Sequence, residues 1–167
     1  MNMGVVLEPV TAGQSDILHN LMQLYFYDFT AFLDIQLEEN GRFQPYPGLD
    51  KYVAEHGNGL HQAFIIRSSG QIAGFALVDQ LTANPEGDYY MAEFFVVRRF
   101  RRRGVGRQAA MKLFGMFQGR WFVSQVANNT PAQAFWRSTI AGFTGGVYTE
   151  KVRPISGNIV QFFNTEK

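Results

Sequence analysis

The sequence predicts one α/β (α+β) domain over residues 1–167, a β-sheet flanked by helices. Three observations carry this. A length of 167 residues is that of one domain. A content of 46% hydrophobic and 15% aromatic residues fills a core and excludes a disordered chain. Apolar residues also recur with period two and with steps of three and four in alternating segments, the signature of strands alternating with helices.

Taken in order, residues 5–10 (VVLEPV) read as a strand. Thr11 and Gln14 stand at capping-box spacing before a helix over residues 14–32. Its apolar stripe is Leu18, Leu21, Met22, Tyr25, Phe29 and Phe32, which makes Tyr25 a core residue. Residues 34–50 mix acids with turn formers and read as a long loop, closed by a short helix near residues 49–55. Residues 62–67 and 72–80 flank Ser68, Ser69 and Gly70 as a hairpin. A turn at 84–87 leads into a strand over 89–97, and Val105, Ala109, Leu113 and Phe117 form the stripe of a helix over 105–117. Residues 121–126 are a further strand. Pro131 fits the first position of the next helix, with Asn129 or Thr130 as its cap and Gly142 as its end. Residues 147–152 and 159–163 close the sheet as a strand pair.

Several functions are excluded on composition. No apolar run is long enough to span a bilayer, and the N-terminus lacks a basic segment followed by an apolar one, so a cytoplasmic protein without a membrane partner is expected. The absence of cysteine removes disulfides, thiolate metal sites and a cysteine nucleophile. His19, His56 and His61 lack metal-ligand spacing, and no metal is expected. The net charge of +1 hides a split: residues 1–97 hold three basic and twelve acidic side chains, and residues 98–167 hold twelve basic and two acidic ones. Such asymmetry fits an anionic partner on one side and a cationic one on the other, or two halves that attract each other.

The chemistry concentrates in residues 94–110, FFVVRRFRRRGVGRQAA, where a strand runs through a basic turn into a helix. Glycines at a helix start let a ligand approach the backbone, and the unpaired N–H groups and dipole there favour a phosphate or pyrophosphate. The spacing is not that of a P-loop, and no acidic residue follows at the position a dinucleotide fold requires. Six arginines within residues 98–107 also fit a nucleic-acid surface, but aromatic interleaving is confined to Phe100 and the acidic half would repel a phosphate backbone, so no nucleic-acid partner is expected.

The segment Arg101-Arg102-Arg103-Gly104-Val105-Gly106 after a strand ending Phe95-Val96-Val97 resembles the R/Q-x-x-G-x-G/A motif of the GCN5-related N-acetyltransferases (GNAT). Asn129, Ala132, Phe135 and Trp136 match that family's second signature at a helix start, and Gly142-Phe143 its later Gly-Phe pair. The motifs span residues 91–144, and the surrounding order of elements extends the resemblance over nearly the whole chain. It implies a strongly twisted mixed sheet whose fourth and fifth strands splay apart to hold acetyl-CoA. It implies transfer of the acetyl group to a primary amine, a cationic small molecule on the charge argument.

By that resemblance, main-chain groups of Phe95 and Val96 bind the pantetheine arm and an N–H there stabilises the oxyanion. Backbone N–H groups of Arg101, Arg102, Arg103, Gly104, Val105, Gly106 and Arg107 cradle the pyrophosphate. Asn129 and Phe135 line the thiol end, although Phe135 equally suits ordinary packing. Without cysteine, the amine attacks directly in a ternary complex, and Glu93 is the candidate base because burial on its strand raises its pKa. Asp28, Glu38 and Glu39 are alternatives. Trp136 stands where many relatives carry a proton-donating tyrosine, which leaves the general acid unassigned and admits a non-catalytic acyl-CoA-binding module as the second reading. Tyr27, Asp28, Glu39 and Tyr90 are the expected substrate contacts, since aromatic and acidic groups together suit an amine cation. The resemblance also allows a homodimer formed through sheet edges or the C-terminal strands.

Overall fold

The computed structural model describes residues 4–167. Alternating apolar residues build seven strands: β1 (Val5–Pro9), β2 (His61–Ser68), β3 (Gln71–Gln80), β4 (Tyr89–Val96), β5 (Arg120–Gln125), β6 (Thr149–Val152) and β7 (Ile159–Asn164). Three helices, α1 (Ser15–Phe29), α2 (Val105–Met116) and α3 (Thr130–Thr144), cover the sheet. The strands form one mixed sheet in the order β1-β2-β3-β4-β5-β7-β6, with β4 and β5 parallel and every other neighbouring pair antiparallel.

Each face has its own core. Leu18, Leu21, Met22 and Tyr25 of α1 pack on Phe75, Leu77 and Phe95. On the other face Leu113 and Phe114 of α2 and Trp136 and Ile140 of α3 pack on Met91, Trp121 and Phe163. Trp121 is fully buried, and its indole N–H donates to the Phe117 carbonyl at 2.7 Å.

Two local departures from a regular sheet shape its middle. β4 pairs with β5 at Tyr89↔Trp121 and Tyr90↔Phe122, and beyond these two rungs the strands part. β4 also carries a bulge against β3, because Leu77 faces Glu93 while Val78 faces Met91. Ala92 is the extra residue, so Ala92 and Glu93 both turn to the α1 face, while Met91 and Phe94 pack against α2 and α3.

Some boundaries differ from the sequence pattern, each with a physical cause. α1 ends at Phe29, and residues 30–33 continue as turns that extend the apolar stripe beyond the helix. α3 runs through Gly142 to Thr144 and ends at Gly145 in the left-handed conformation. A Cβ on Gly142 would lie 2.1 Å from the Arg107 guanidinium, so this glycine serves close packing between α2 and α3. The helix expected near residues 49–55 is a single 3₁₀ turn at Leu49–Tyr52. Asn129 caps α3, its side chain accepting from the Ala132 N–H at 3.2 Å.

Gly74 opposes the end of β4, and a Cβ there would sit 1.8 Å from the Phe95 carbonyl oxygen. Gly74→Ala is therefore expected to lower unfolding free energy by about 3 kcal/mol in urea titration, since backbone must move. Gly70→Ala, with φ of +78° but nothing within 4 Å, serves as the control and costs about 1 kcal/mol. Equal losses in the two variants would remove the steric role given to Gly74.

Candidate active site

The parting of β4 from β5 opens a cleft of about 1100 Å³ through the middle of the sheet. Its walls come from β4, β5, the end of α1, the start of α2 and the start of α3. Of the residues expected from sequence, Asp28, Tyr90, Glu93, Phe95, Val96, Arg101, Arg102, Gly104, Gly106, Arg107, Asn129 and Phe135 line it.

Five others lie elsewhere, among them Glu38, which is exposed outside the cleft. Tyr27 is 65% exposed on the outer face of α1, one helical position away from the face that Tyr25 and Asp28 present to the cleft. Glu39 is exposed in the turn after α1, and the Arg103 side chain is exposed away from the cleft. Val105 buries its side chain beside Val5, Ile66 and Phe100, so only its main chain is available to a ligand.

Glu93 is the buried carboxylate of the cleft wall that faces α1. The bulge aims its carboxylate at α1, where Tyr25 donates to Oε2 at 2.5 Å and Tyr46 to Oε1 at 3.3 Å. Burial pushes the Glu93 pKa up to about 7, while the two tyrosine hydrogen bonds pull in the other direction. Burial, then the nearby Glu93 charge, raises the Tyr25 pKa well above the usual phenol range and holds the hydroxyl protonated as a donor. Tyr25 is thus both a core residue and a wall of the cleft, a double role that its place on the apolar stripe did not reveal.

Tyr46 reaches Glu93 because the loop after α1 is packed down rather than free. The Gln23 side chain accepts from the Phe43 N–H at 2.8 Å and donates to the Phe43 carbonyl at 3.0 Å. Phe26 packs against both Phe43 and Tyr46. The signal in the sequence was two aromatic residues within an otherwise polar stretch.

Asp28 lies in the cleft but is already engaged. Arg101 Nη2 donates to it at 2.8 Å, and the Arg98 guanidinium stands 3.6 Å away. Arg101 Nε also donates to the Val96 carbonyl at 2.8 Å. The Phe95 carbonyl faces Gly74 on β3. By the alternation of an antiparallel ladder, the main-chain groups of Phe94 and Val96 face the parting, so Phe94 takes the place expected for Phe95.

On the opposite face, the turn before α2 has a left-handed backbone at Arg102 (φ 59°) and at Gly104 (φ 79°). It leads into a helix N-terminus whose first N–H groups have no intrahelical acceptor. Gly106 sits tightly under the cleft floor: a Cβ there would meet the Phe135 ring at 3.3 Å and Val96 at 3.4 Å. Among the described residues, Arg102, Arg103 and Arg107 make no ion pair, unlike Arg98 and Arg101. Helix dipole, free N–H groups and the guanidinium groups of Arg102 and Arg107, which line the cleft, are the kind of chemistry that suits a phosphate-bearing ligand. Trp136 is 6% exposed and packs edge-on against Phe94 and Phe135, at centroid distances of 5.0 and 4.9 Å. Among the described residues no cluster of potential metal ligands occurs, and no helix is long and apolar enough to cross a membrane.

Comparison with known proteins agrees with this geometry. The chain is similar over 96% of its length to 96% of an acetyltransferase from Thermus thermophilus, at 16% identity and a TM-score of 0.70. The ribosomal-protein-S18-alanine N-acetyltransferase of Escherichia coli aligns over 98% of this chain and 96% of its own, at 12% identity and a TM-score of 0.61. Arabidopsis thaliana NAA60, solved in complex with acetyl-CoA, aligns over 96% of this chain and 98% of its own, at 12% identity and a TM-score of 0.56. At such identities these likenesses establish the fold. No curated protein matches the sequence significantly. The sequence model of the Acetyltransferase (GNAT) family matches residues 18–143, which include most of α1, the bulged strand, the glycine turn and nearly all of α3, and the chain therefore belongs to the GNAT acetyltransferase family.

Proposed function

We propose that the protein transfers the acetyl group of acetyl-CoA to a primary amine by direct attack, with Glu93 as general base. The observation that carries this reading is the Glu93 carboxylate: desolvated, held by two tyrosine hydroxyls, and lining a cleft that runs to the N-terminus of α2.

The residues present suit the donor. The backbone N–H groups of Gly104, Val105, Gly106 and Arg107, with Arg102 beside them, would hold the pyrophosphate. Phe135 and Asn129 would flank the pantetheine arm, and the main-chain N–H groups of the free edge of β4 would hydrogen-bond the acetyl oxygen as negative charge develops there. The bound thioester supplies the electrophilic carbonyl.

On the acceptor side, Glu93 takes a proton from the ammonium form of the substrate, leaving a neutral nitrogen with a lone pair. A C–N bond then forms as the C–S bond breaks, the sulfur leaves with the electron pair, and the nitrogen gives up its second proton, which passes through water to the thiolate. A carboxyl pKa of about 7 matches this work, because such a group is largely ionised just above neutrality yet basic enough to hold the proton. A thiol with a pKa of about 8.5 is an acceptable leaving group without a side-chain acid, so water can supply its proton and the tryptophan at position 136 is compatible with turnover.

Glu93→Gln is expected to lower kcat by about 100-fold while acetyl-CoA affinity changes less than about threefold. In the parent protein the rate should rise with pH around 7, as Glu93 loses its proton, and that rise should vanish in the variant. A retained rise would assign the base elsewhere. Stability gives an independent check. A carboxyl whose folded pKa is raised stabilises the fold fully below its unfolded value and loses that contribution as pH rises through about 7. At pH 8 Glu93→Gln should therefore unfold at higher urea, by about 1–3 kcal/mol.

Tyr25→Phe removes a hydrogen bond that favours the ionised carboxylate. The midpoint of the rate–pH curve should move up by about one pH unit. An unmoved midpoint would show that Tyr25 only packs. Gly106→Trp should abolish CoA binding in calorimetry, since its side chain must enter the turn or displace Phe135. Wild-type CoA affinity in a folded Gly106→Trp protein would refute the placement of the donor.

A further inference from the structure

A second cavity of about 440 Å³ adjoins the cleft on the α1 face and shares Tyr90, Ser124 and Asn158 with it. Its floor is aromatic. Tyr90 and Phe122, paired across the β4–β5 rung, stack with centroids 4.7 Å apart and ring planes 22° apart. The loop between β6 and β7 forms its far wall with Arg153, Pro154 and the fully exposed Ile155.

The charges bordering this space are consumed. Arg153 donates to both oxygens of Glu86, at 2.6 and 2.9 Å. Asp79 accepts from Tyr52 at 2.6 Å and stands 2.8 Å from His61 Nδ1. Asp28 is paired with Arg101, and Glu38 and Glu39 are exposed outside both cavities. Phe122 is 9% exposed, stacked between Tyr90 and Phe162, so what remains open to a ligand is the half-buried Tyr90 ring and the edge of Phe122, with Ser124 and Asn158 beside them. A polyamine would find one carboxylate, Glu93, and none for its second ammonium.

We infer that the acceptor is a monoamine with an apolar, planar body: its nitrogen lies at Glu93 and its body rests on the Tyr90 ring and the adjoining edge of Phe122, under the β6–β7 loop. This rests on the acetyl-transfer reading above. The spacing suits a short linker, since Tyr90 precedes Glu93 by three residues on the same bulged strand, roughly 7–10 Å. Continuity between the two cavities through Tyr90, Ser124 and Asn158 lets one molecule span both.

The test compares kcat/KM for 3-phenylpropylamine, propylamine and spermidine at one pH. The aromatic amine should exceed propylamine by about 30-fold, the worth of burying one ring face, and spermidine should do no better than propylamine. Phe122→Ala should bring the ratio of the first two to within about threefold of unity. Ile155 is exposed and its replacement does not threaten folding, so Ile155→Asp should lower the same ratio at least about threefold. A wild-type ratio near unity, a preference for spermidine, or ratios untouched by both substitutions would overturn the inference.

If none of the three amines is acetylated, the transfer reading has failed, and saturation-transfer NMR with 3-phenylpropylamine still reads the subsite. Transfer to the phenyl protons that Ile155→Asp weakens supports this placement, and no transfer in the parent protein overturns it.

Discussion

The structure turns on one break in hydrogen bonding, the parting of β4 from β5 after two rungs. A sheet does not open freely, because each separated strand leaves backbone donors and acceptors without partners. The closed end is pinned. The Asp88 N–H donates to the Arg120 carbonyl at 2.7 Å, and the Arg120 side chain returns to the Asp88 carboxylate at 2.9 Å. Tyr89 stacks on Trp121 beside that joint, at 5.4 Å. At the open end, Phe94 packs on Phe135 and Trp136, so aromatic volume fills one side of the gap. The end of α1 spans the other side, tied to the β4 arm through Asp28 and Arg101 and to the β5 arm through a 3.0 Å bond from Asn128 to the Phe32 carbonyl.

That break and the bulge beside it act together. A regular strand would alternate Ala92 and Glu93 between faces, and Glu93 would then point into the apolar core of α2 and α3. The extra residue instead turns the carboxylate to α1, where Tyr25 and Tyr46 receive it. The gain is a charge kept near its protonation midpoint at neutral pH rather than a stronger fold. Two phenol donors make ionisation tolerable, and burial keeps it incomplete. Assigning Tyr25 to the core alone overlooks half of its role: its ring packs on Phe75 and Phe95 while its hydroxyl works at the site.

Much of this was legible from one-dimensional pattern. The strand and helix periods placed all ten main elements within a few residues, and the Arg-Arg-Arg-Gly-Val-Gly turn and the Asn129 cap stood where their chemistry required. The rest depended on contacts distant in sequence. No local pattern shows that Tyr46, 47 residues before Glu93, reaches its carboxylate. Nor does any show that Gly142 accommodates an arginine from another helix instead of ending its own. The bulge was hidden because MAEFF reads equally well as an unbroken strand, and only the partner register exposes the extra residue. The charge of Asp28 and Glu39 is a property that sequence shows, whereas pairing and direction, which decide availability, are properties of the fold.

The split of charge between the two halves illustrates the same distinction. Acids of the first half pair with arginines of the second at Asp28–Arg101, Asp88–Arg120 and Glu86–Arg153. These pairs sit at the open end of the strand gap, at its closed end and at the rim of the second cavity, so part of the asymmetry holds the site's frame together. Exposed pairs of this kind add little stability individually. Their consequence here is selective: they neutralise Asp28, Glu86 and Asp88 around the strand gap while leaving Arg102 and Arg107 without an ion pair at the cleft end of α2. The positive half thus keeps unpaired guanidinium groups beside the α2 N-terminus, whereas Asp28, Glu86 and Asp88 of the negative half are each paired with an arginine. On the proposed acetyl-transfer reading, electrostatics serves the donor, while the acceptor is recognised by one carboxylate and by the shape and apolarity of the surface beside it.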